Sequence, residues 1–213
     1  MLKADLHIHT SYSMDCSTSL EQVIDRCLER GINCIAIADH GTIEGAVKMQ
    51  SLAPFPVIVA EEILTPHGEI MGMFLKETIP SGLSVEQTLA RIRAQGGLVC
   101  IPHPFDIRQS ALRNRTLQGL AGQIDAIEVF NSKNLLPWVS ARARLFAEKY
   151  GIARTAGSDA HTPREIGKAY VEMPEFGGRD DFITALRQGK ISGHRASPLI
   201  YVNSAWARVK RRF

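Results

Sequence analysis

The chain has 213 residues, 45% of them hydrophobic and 22% charged, with a formal net charge of +3. That is enough for one sizeable core, and barrel folds reach this size as one unit. The charge is too mild to argue for nucleic acid, and no apolar run approaches the roughly 20 residues that a membrane helix needs.

Cys27, Cys34 and Cys100 sit in apolar runs, and none of the four cysteines, Cys16 included, forms a C-x-x-C pair. This predicts a reducing compartment without a disulfide framework. A strand follows Met1 almost at once and leaves no room for a signal peptide, so the expected location is cytoplasmic. The basic stretch Arg208-Val209-Lys210-Arg211-Arg212 reads as a solvated tail or as a patch for phosphate-rich ligands.

A first strand is expected over about 2–8, and alternation puts Asp5, His7 and His9 on one face with Leu6 and Ile8 on the other. Two imidazoles at that spacing can grip one metal ion; alone, the pattern fits two ordinary histidines as well. After a polar loop, Thr18 with Glu21 three residues on reads as a capping box, opening a helix that Gly31 stops. Cys34–Ala38 predicts a strand buried on both faces, ending in Asp39-His40-Gly41. A helix follows over 42–52, then a buried strand over 56–60 that ends in Glu61-Glu62. Beyond Thr65-Pro66-His67-Gly68 the chain extends again through 69–75.

Ser84 and Gln87 begin a helix that ends at Gln95. The strand 98–101 leads into Pro102-His103-Pro104, and the Arg-rich segment 106–118 is expected to be helical in part. The strand 126–130 ends in Asn131, a helix covers 137–150, and a short strand over 153–156 ends in Gly157-Ser158-Asp159-Ala160-His161. A last strand at 169–173 and a helix at 180–188, with Asp residues at its positive end, complete the pattern. Strands alternate with helices, which predicts parallel strands joined by right-handed crossovers in an α/β fold. No repeat or linker divides the chain, so 1–213 is read as a single domain.

The residues able to bind metals share one address. His7, His9, Asp39, His40, Glu61, Glu62, His103, Asn131, Asp159 and His161 all lie at the carboxyl end of a predicted strand. In a parallel barrel those ends form one rim, where active sites assemble. The other two histidines, His67 and His194, fall in predicted loops. This many imidazoles and carboxylates exceeds the three protein ligands of a single catalytic zinc. A carboxylate that bridges ions suits a two- or three-metal centre and phosphate ester hydrolysis. Mixed nitrogen and oxygen donors without thiolate fit Zn²⁺, Mn²⁺ or Fe²⁺.

Asp5-Leu-His-Ile-His-Thr-Ser-Tyr-Ser, Ala38-Asp-His-Gly41, Pro102-His-Pro104 and Gly157-Ser-Asp-Ala-His161, in that order, resemble the PHP (polymerase and histidinol phosphatase) superfamily. The resemblance spans residues 5 to 161, and the compact length is similar to that of the stand-alone phosphoesterases. It implies a distorted (β/α)7 barrel with a trinuclear metal site. It further implies that His7, His9, Glu62 and Asp159 hold a first metal, and that Glu62 bridges to a second ion held by His103. Asp15, His40 and His161 would hold a third. Two departures stand out: Asp15 replaces a histidine common in the family, and no histidine follows the bridging Glu on the next strand, where Glu69 is the substitute. Asp5 and Asp39 are expected behind the ligands, accepting the outer N–H of a metal-bound histidine.

For substrate, Arg108, Asn131, Lys133 and Arg195 are the candidate phosphate-binding residues, since each follows a strand end or, for Arg195, lies in the loop 193–198. The expected activity is hydrolysis of a small phosphomonoester, a nucleotide or sugar phosphate, by a metal-bound hydroxide, with His161 or Asp15 assisting proton transfer. About two to three divalent ions of Zn, Mn or Fe are expected. The alternatives are a nuclease trimming RNA or DNA ends, and a non-catalytic metal-binding module. Only 7% of residues are aromatic, which offers no stacking platform, so nucleic acid is not the favoured partner.

Overall fold

In the computed structural model, which describes residues 1–195, the first strand, β1 (Leu2–Ile8), is paired along both edges. On one edge it lies parallel to β2 (Cys34–Ile37). On the other edge Leu2, Lys3 and Ala4 run antiparallel to β8 (Ala169–Met173). The chain leaving β7 (Ala153–Gly157) then takes over that edge. Ile8 bridges Ala160, the Asp159 N–H donates to the His7 carbonyl at 2.8 Å, and the His9 N–H donates to the Ala160 carbonyl at 3.0 Å.

Between these edges lie β3 (Val57–Thr65), β4 (Gly68–Met73), β5 (Leu98–Ile101) and β6 (Ala126–Asn131), so the sheet runs β7-β6-β5-β4-β3-β2-β1 and curls back to its start. The fold is α/β with a nearly closed, barrel-shaped sheet. β8 pairs antiparallel with β9 (Lys190–Gly193) at the free edge. The helices among the described residues are α1 (Leu20–Arg30), α2 (Glu44–Leu52), α3 (Val85–Ala94), α4 (Asn114–Gly119), α5 (Pro137–Tyr150) and α6 (Arg179–Arg187). The basic stretch 208–212 lies outside the described residues.

Several expectations need correction. The strands are not all parallel, because β4 is antiparallel to both β3 and β5. Only Pro66 and His67 separate the paired residues Thr65 and Gly68, and a parallel return needs a crossover of a dozen or more residues. β3 therefore does not end at Glu61-Glu62; it changes from parallel pairing with β2 to antiparallel pairing with β4 at Ala60. α1 is capped by Ser19 and Gln22, one residue later than expected, because the Thr18 hydroxyl donates instead to the His161 carbonyl at 3.2 Å. The Arg-rich segment is helical in part, as expected, through α4. β9 had no sequence expectation.

Alternation along the strands sorts the core into two layers. Ile35, Ile37, Val57, Val59, Val99 and Ile127 face Val23, Met49, Leu89, Ile92 and Val139 of the helices. The barrel interior is lined by smaller residues, among them Ala4, Ala36, Ala60, Ala126 and Ala153, together with Cys34, Cys100 and Met71. Phe182 of α6 lies in this inner cluster, with its ring 5.2 Å from that of Phe74 and 5.1 Å from that of Phe176. Burying these apolar surfaces stabilises the fold by roughly 25 cal/mol per Å².

The same alternation lifts charged residues onto the inner face. After Ile58 and Ala60 the next inward residue of β3 is Glu62; beyond Met73 and Met71 on β4 it is Glu69; after Ala126 on β6 it is Glu128. The polar site is thus one storey of the barrel above an apolar floor.

Candidate metal centre

β1 departs from simple alternation. Its pairing with β2 shifts between Asp5 and Ile8, and Leu6 packs in the inner cluster with Leu2 and Ala4, while Ile8 packs in the outer one. Asp5 therefore does not act with His7 and His9 as one face. Bulges of this kind re-aim side chains beside active sites. The Asp5 carboxylate accepts instead from the backbone N–H groups of Ser158, at 2.8 Å, and Gly167, at 2.9 Å. Burial pushes this carboxyl up to about 6 against those hydrogen bonds. Asp39 likewise fails to orient a histidine: it accepts from the Thr10 N–H at 2.6 Å and the Thr10 hydroxyl at 2.7 Å, fastening the loop after β1 to the end of β2.

The five histidines of the strand ends converge through Nε2. The Nε2 atoms of His7 and His9 lie 3.1 Å apart. The Glu62 carboxylate sits among them, 3.2 Å from His7, 3.3 Å from His9, 3.7 Å from His40 and 2.8 Å from His103. The Nε2 of His161 lies 3.0 Å from Asp15, and that of His40 lies 3.7 Å from the same carboxylate.

Three groups have ligand atoms mutually within 4.8 Å: His7, His9 and Asp159; Glu62, Glu69 and His103; and His9, Asp15, His40 and His161. All the residues expected as ligands are thus in one place. Glu69 lies 3.5 Å from His103, whereas His67 is exposed on the β3–β4 turn. His194 is also exposed.

Charge balance in the cluster is set by burial against opposite charge. Burial favours neutral imidazoles, but the carboxylates win: Glu62, Asp159 and Glu128 hold His7 well above its ordinary value. His9 and His103 rise to about 9 against burial for the same reason, through Asp159 and Glu62 for the first and Glu62 for the second. Burial also opposes ionisation of Glu62 and Asp159, yet His7 and His103 around Glu62, and Lys133 and His7 around Asp159, hold both carboxyls well below the usual range. Glu69 is pushed up to about 8 by burial and by the Glu62 charge. His161 is lowered by burial and by its cationic neighbours His9 and Lys133.

The donor set is imidazole nitrogen and carboxylate oxygen without a thiol, which fits Zn²⁺, Mn²⁺ or Fe²⁺. The backbone is strained where ligands leave the strands: His103 has φ 27° and Asp159 φ 53°, left-handed values uncommon for residues other than glycine. Hydrogen bonds hold both, from the His103 N–H to Glu128 at 2.7 Å and from the Asp159 N–H to His7.

The candidate phosphate-binding residues divide. Lys133 enters the site: its Nζ is 3.2 Å from Asp159 Oδ1 and 2.7 Å from His161 Nδ1. Asn131 has no free amide atom. Its Nδ2 donates to Glu128 and Asp159, at 2.9 and 3.2 Å, and its Oδ1 accepts from the Lys133 N–H at 2.8 Å. These bonds tie it to Glu128, Asp159 and the backbone of Lys133. Arg108 is exposed on the loop after β5, with Nε 3.6 Å from Asp106. Arg195 donates to the Asn134 carbonyl at 3.1 Å, with its guanidinium 5.7 Å from the Phe130 ring centre.

Two residues of the site had no sequence expectation. Gln109 donates to Asp159 Oδ2 at 3.1 Å from the loop after β5. Glu128 is 2% exposed and touches His7, His103 and Asn131. Its signal was in the sequence: a lone carboxylate inside the apolar strand Ala126-Ile-Glu-Val-Phe130 is a buried charge and requires partners.

Among the described residues no helix is long and apolar enough to cross a membrane. The family model for the PHP domain matches residues 5–54, and that for a PHP-associated segment matches residues 139–191. An uncharacterized protein of Methanocaldococcus jannaschii is 36% identical over 180 residues, covering 82% of this chain and 72% of that protein. The fold is similar to the crystal structure of a two-domain protein from Bacteroides vulgatus containing a predicted PHP-like metal-dependent phosphoesterase. The TM-score is 0.71 at 18% identity, over 91% of this chain and 65% of that one. It is also similar to a lesion-specific endonuclease from Pyrococcus furiosus, with a TM-score of 0.69 at 16% identity, over 89% of this chain and 57% of that one. This chain spans less than two thirds of either structure. The two family models bracket the barrel from β1 to β9, and the 36%-identical relative is matched over most of its length: the chain belongs to the PHP family.

Proposed function

We propose that residues 1–213 form one metal-dependent phosphoesterase domain, which hydrolyses a small phosphomonoester such as a nucleotide or sugar phosphate. About two to three divalent ions, Zn, Mn or Fe, would be held by His7, His9 and Asp159, by Glu62, Glu69 and His103, and by Asp15, His40 and His161. Bound there, they supply an activated water and neutralise charge on the phosphate oxygens. The observation that carries this reading is the convergence of five imidazole Nε2 atoms on and around one central carboxylate, Glu62.

The chain's own groups have distinct tasks. Glu62 spans the clusters and offers one oxygen to the His7–His9 side and the other to His103. Lys133 brings a cation to the edge of the cluster, suited to a phosphate oxygen. The pair Asp15 and His161, 3.0 Å apart, would assist proton transfer to a leaving oxygen only in a chain whose third ion is absent, because a ligated side chain is a poor acid or base. Arg108 and Arg195 extend positive charge beyond the cluster. The four cysteines, all free and buried, fit a cytoplasmic enzyme.

The test is a substrate panel with Mn²⁺ or Zn²⁺, comparing phosphomonoesters with oligonucleotides and the wild type with His7→Ala. Turnover of monoesters, lost in the variant, is expected. Cleavage of oligonucleotides alone, falling steeply with salt, would replace this reading with a nuclease. Binding of phosphorylated ligands without any turnover would replace it with a non-catalytic module.

A further inference from the structure

Glu128 belongs to none of the three groups of converging ligand atoms, yet it touches residues from two of them. Its Oε1 lies 3.2 Å from His7 Nδ1, and its Oε2 accepts from the His103 N–H at 2.7 Å and from Asn131 Nδ2 at 2.9 Å. Through that Asn131 amide it reaches Asp159 Oδ2, 3.2 Å further on. One buried carboxylate thus links ligand residues carried by β1 and by the chain after β5 and β7. His103 is the residue whose backbone has φ 27°, so the hydrogen bond to its N–H holds a strained turn.

The nitrogen it selects matters. Glu128 faces Nδ1 of His7, while Nε2 faces His9 and Glu62. A neutral imidazole carries one N–H, and the partner of one nitrogen decides which nitrogen is left to bind a metal. A carboxylate can only accept, so it keeps the proton on Nδ1 and turns the Nε2 lone pair into the cluster. Among the described residues the other four clustered histidines differ: Nδ1 of His40 faces a backbone carbonyl, Nδ1 of His161 lies 3.0 Å from the Asp159 carbonyl, 3.5 Å from Asp159 Oδ1 and 2.7 Å from Lys133 Nζ, and Nδ1 of His9 and of His103 is buried without a hydrogen-bond partner. Gly157 makes the room, since a Cβ there would collide with the Cβ of His7 and stand 2.9 Å from Glu128 Oε1.

We infer that Glu128 is a positioning residue that fixes the tautomer of His7 and, through His103 and Asn131, sets the metal affinity of the whole cluster. The inference rests on the metal-binding reading above. The test is chelator-competition titration of Zn²⁺ and Mn²⁺ into the full chain, for the wild type, Glu128→Gln and Glu128→Asp, with circular dichroism on each. In Glu128→Gln an amide N–H₂ meets His7 Nδ1 and favours the wrong tautomer. Metal affinity should fall about 10- to 100-fold, with the fold retained and Glu128→Asp in between. Nitrogen-15 spectra of histidine-labelled wild-type protein with Zn²⁺ should show His7 protonated at Nδ1 and bound through Nε2. Unchanged affinity in a folded Glu128→Gln, or an unprotonated His7 Nδ1 in the wild type, would overturn the inference; the second measurement stands even if the variant does not fold. Failure of the wild type to bind either metal would instead sink the reading on which it rests.

Discussion

The Nε2 atoms of His7 and His9 stand 3.1 Å apart, with Glu62 Oε2 3.2 Å from the first and 3.3 Å from the second. Two ring nitrogens cannot present lone pairs to each other at that distance without a proton or a cation between them. Glu62 touches four of the five clustered histidines, so it should matter more than any one of them. Protein purified without chelators should contain about two to three transition ions per chain. Glu62→Gln should lower that content by more than His40→Ala does, as measured by elemental analysis on folded protein. Equal content in both variants would show that the groups bind independently of Glu62.

Gly157 is a steric requirement of the site, with its backbone against His7 and Glu128. Gly157→Ala must push the β1 and β6 side chains apart. Overpacking of this kind costs about 1–3 kcal/mol, and the displaced pair carries His7. The expected result is a lower melting temperature together with loss of most hydrolysis. A Gly122→Ala control, at a position where an added Cβ meets nothing within 4 Å, should change neither.

Lys133 places its ammonium between Asp159 Oδ1 and His161 Nδ1. Lys133→Met keeps the length of the side chain and removes the charge. It should lower kcat/KM for a phosphomonoester by about tenfold or more, in the range expected for a charge-assisted contact, while the metal content stays near that of the wild type. Steady-state kinetics beside elemental analysis separates the two effects. Loss of metal with unchanged kinetics per bound ion would assign Lys133 to the cluster instead of to substrate.

The thiols give a prediction tied to pH. Burial pushes Cys34 and Cys100 up to about 12, against roughly 8.5 for a free thiol. At pH 8 all four buried thiols should resist a disulfide reagent in the folded protein and react on addition of denaturant. Between pH 8.5 and 12 the folded state holds protons that the unfolded state releases, so the contribution of these groups to stability is full below 8.5 and declines as pH rises. Denaturant midpoints across pH 8 to 10 should therefore fall. A flat profile, or fast labelling of native protein, would contradict the burial of these side chains.

Most of the element order was legible, because apolar runs, capping pairs and glycine stops are local signals. α5 runs over Pro137–Tyr150 with Gly151 as its stop, and Ser84 with Gln87 caps α3, as the residues predict. The antiparallel β4 was legible in principle, since two residues between paired positions forbid a parallel return. The one-residue error at Thr18 was not, because its hydroxyl is used by His161, a residue 143 positions away.

The sequence alone determined the chemical kind of this protein. Histidines and carboxylates recurring along the strands and the loops after them, with no thiol among them, suit divalent metal binding, and residue type is all that such an argument needs. Tertiary structure decided how each residue serves. It turned Asp5 and Asp39 to backbone N–H groups, used up the amide of Asn131, brought Lys133 inward, and set Glu128 behind His7. The reason is physical. Alternation along a strand predicts which face a side chain takes only until a register shift, such as the one between Asp5 and Ile8, resets it. A buried carboxylate goes to whichever donors the folded chain brings within reach, and sequence spacing does not record those.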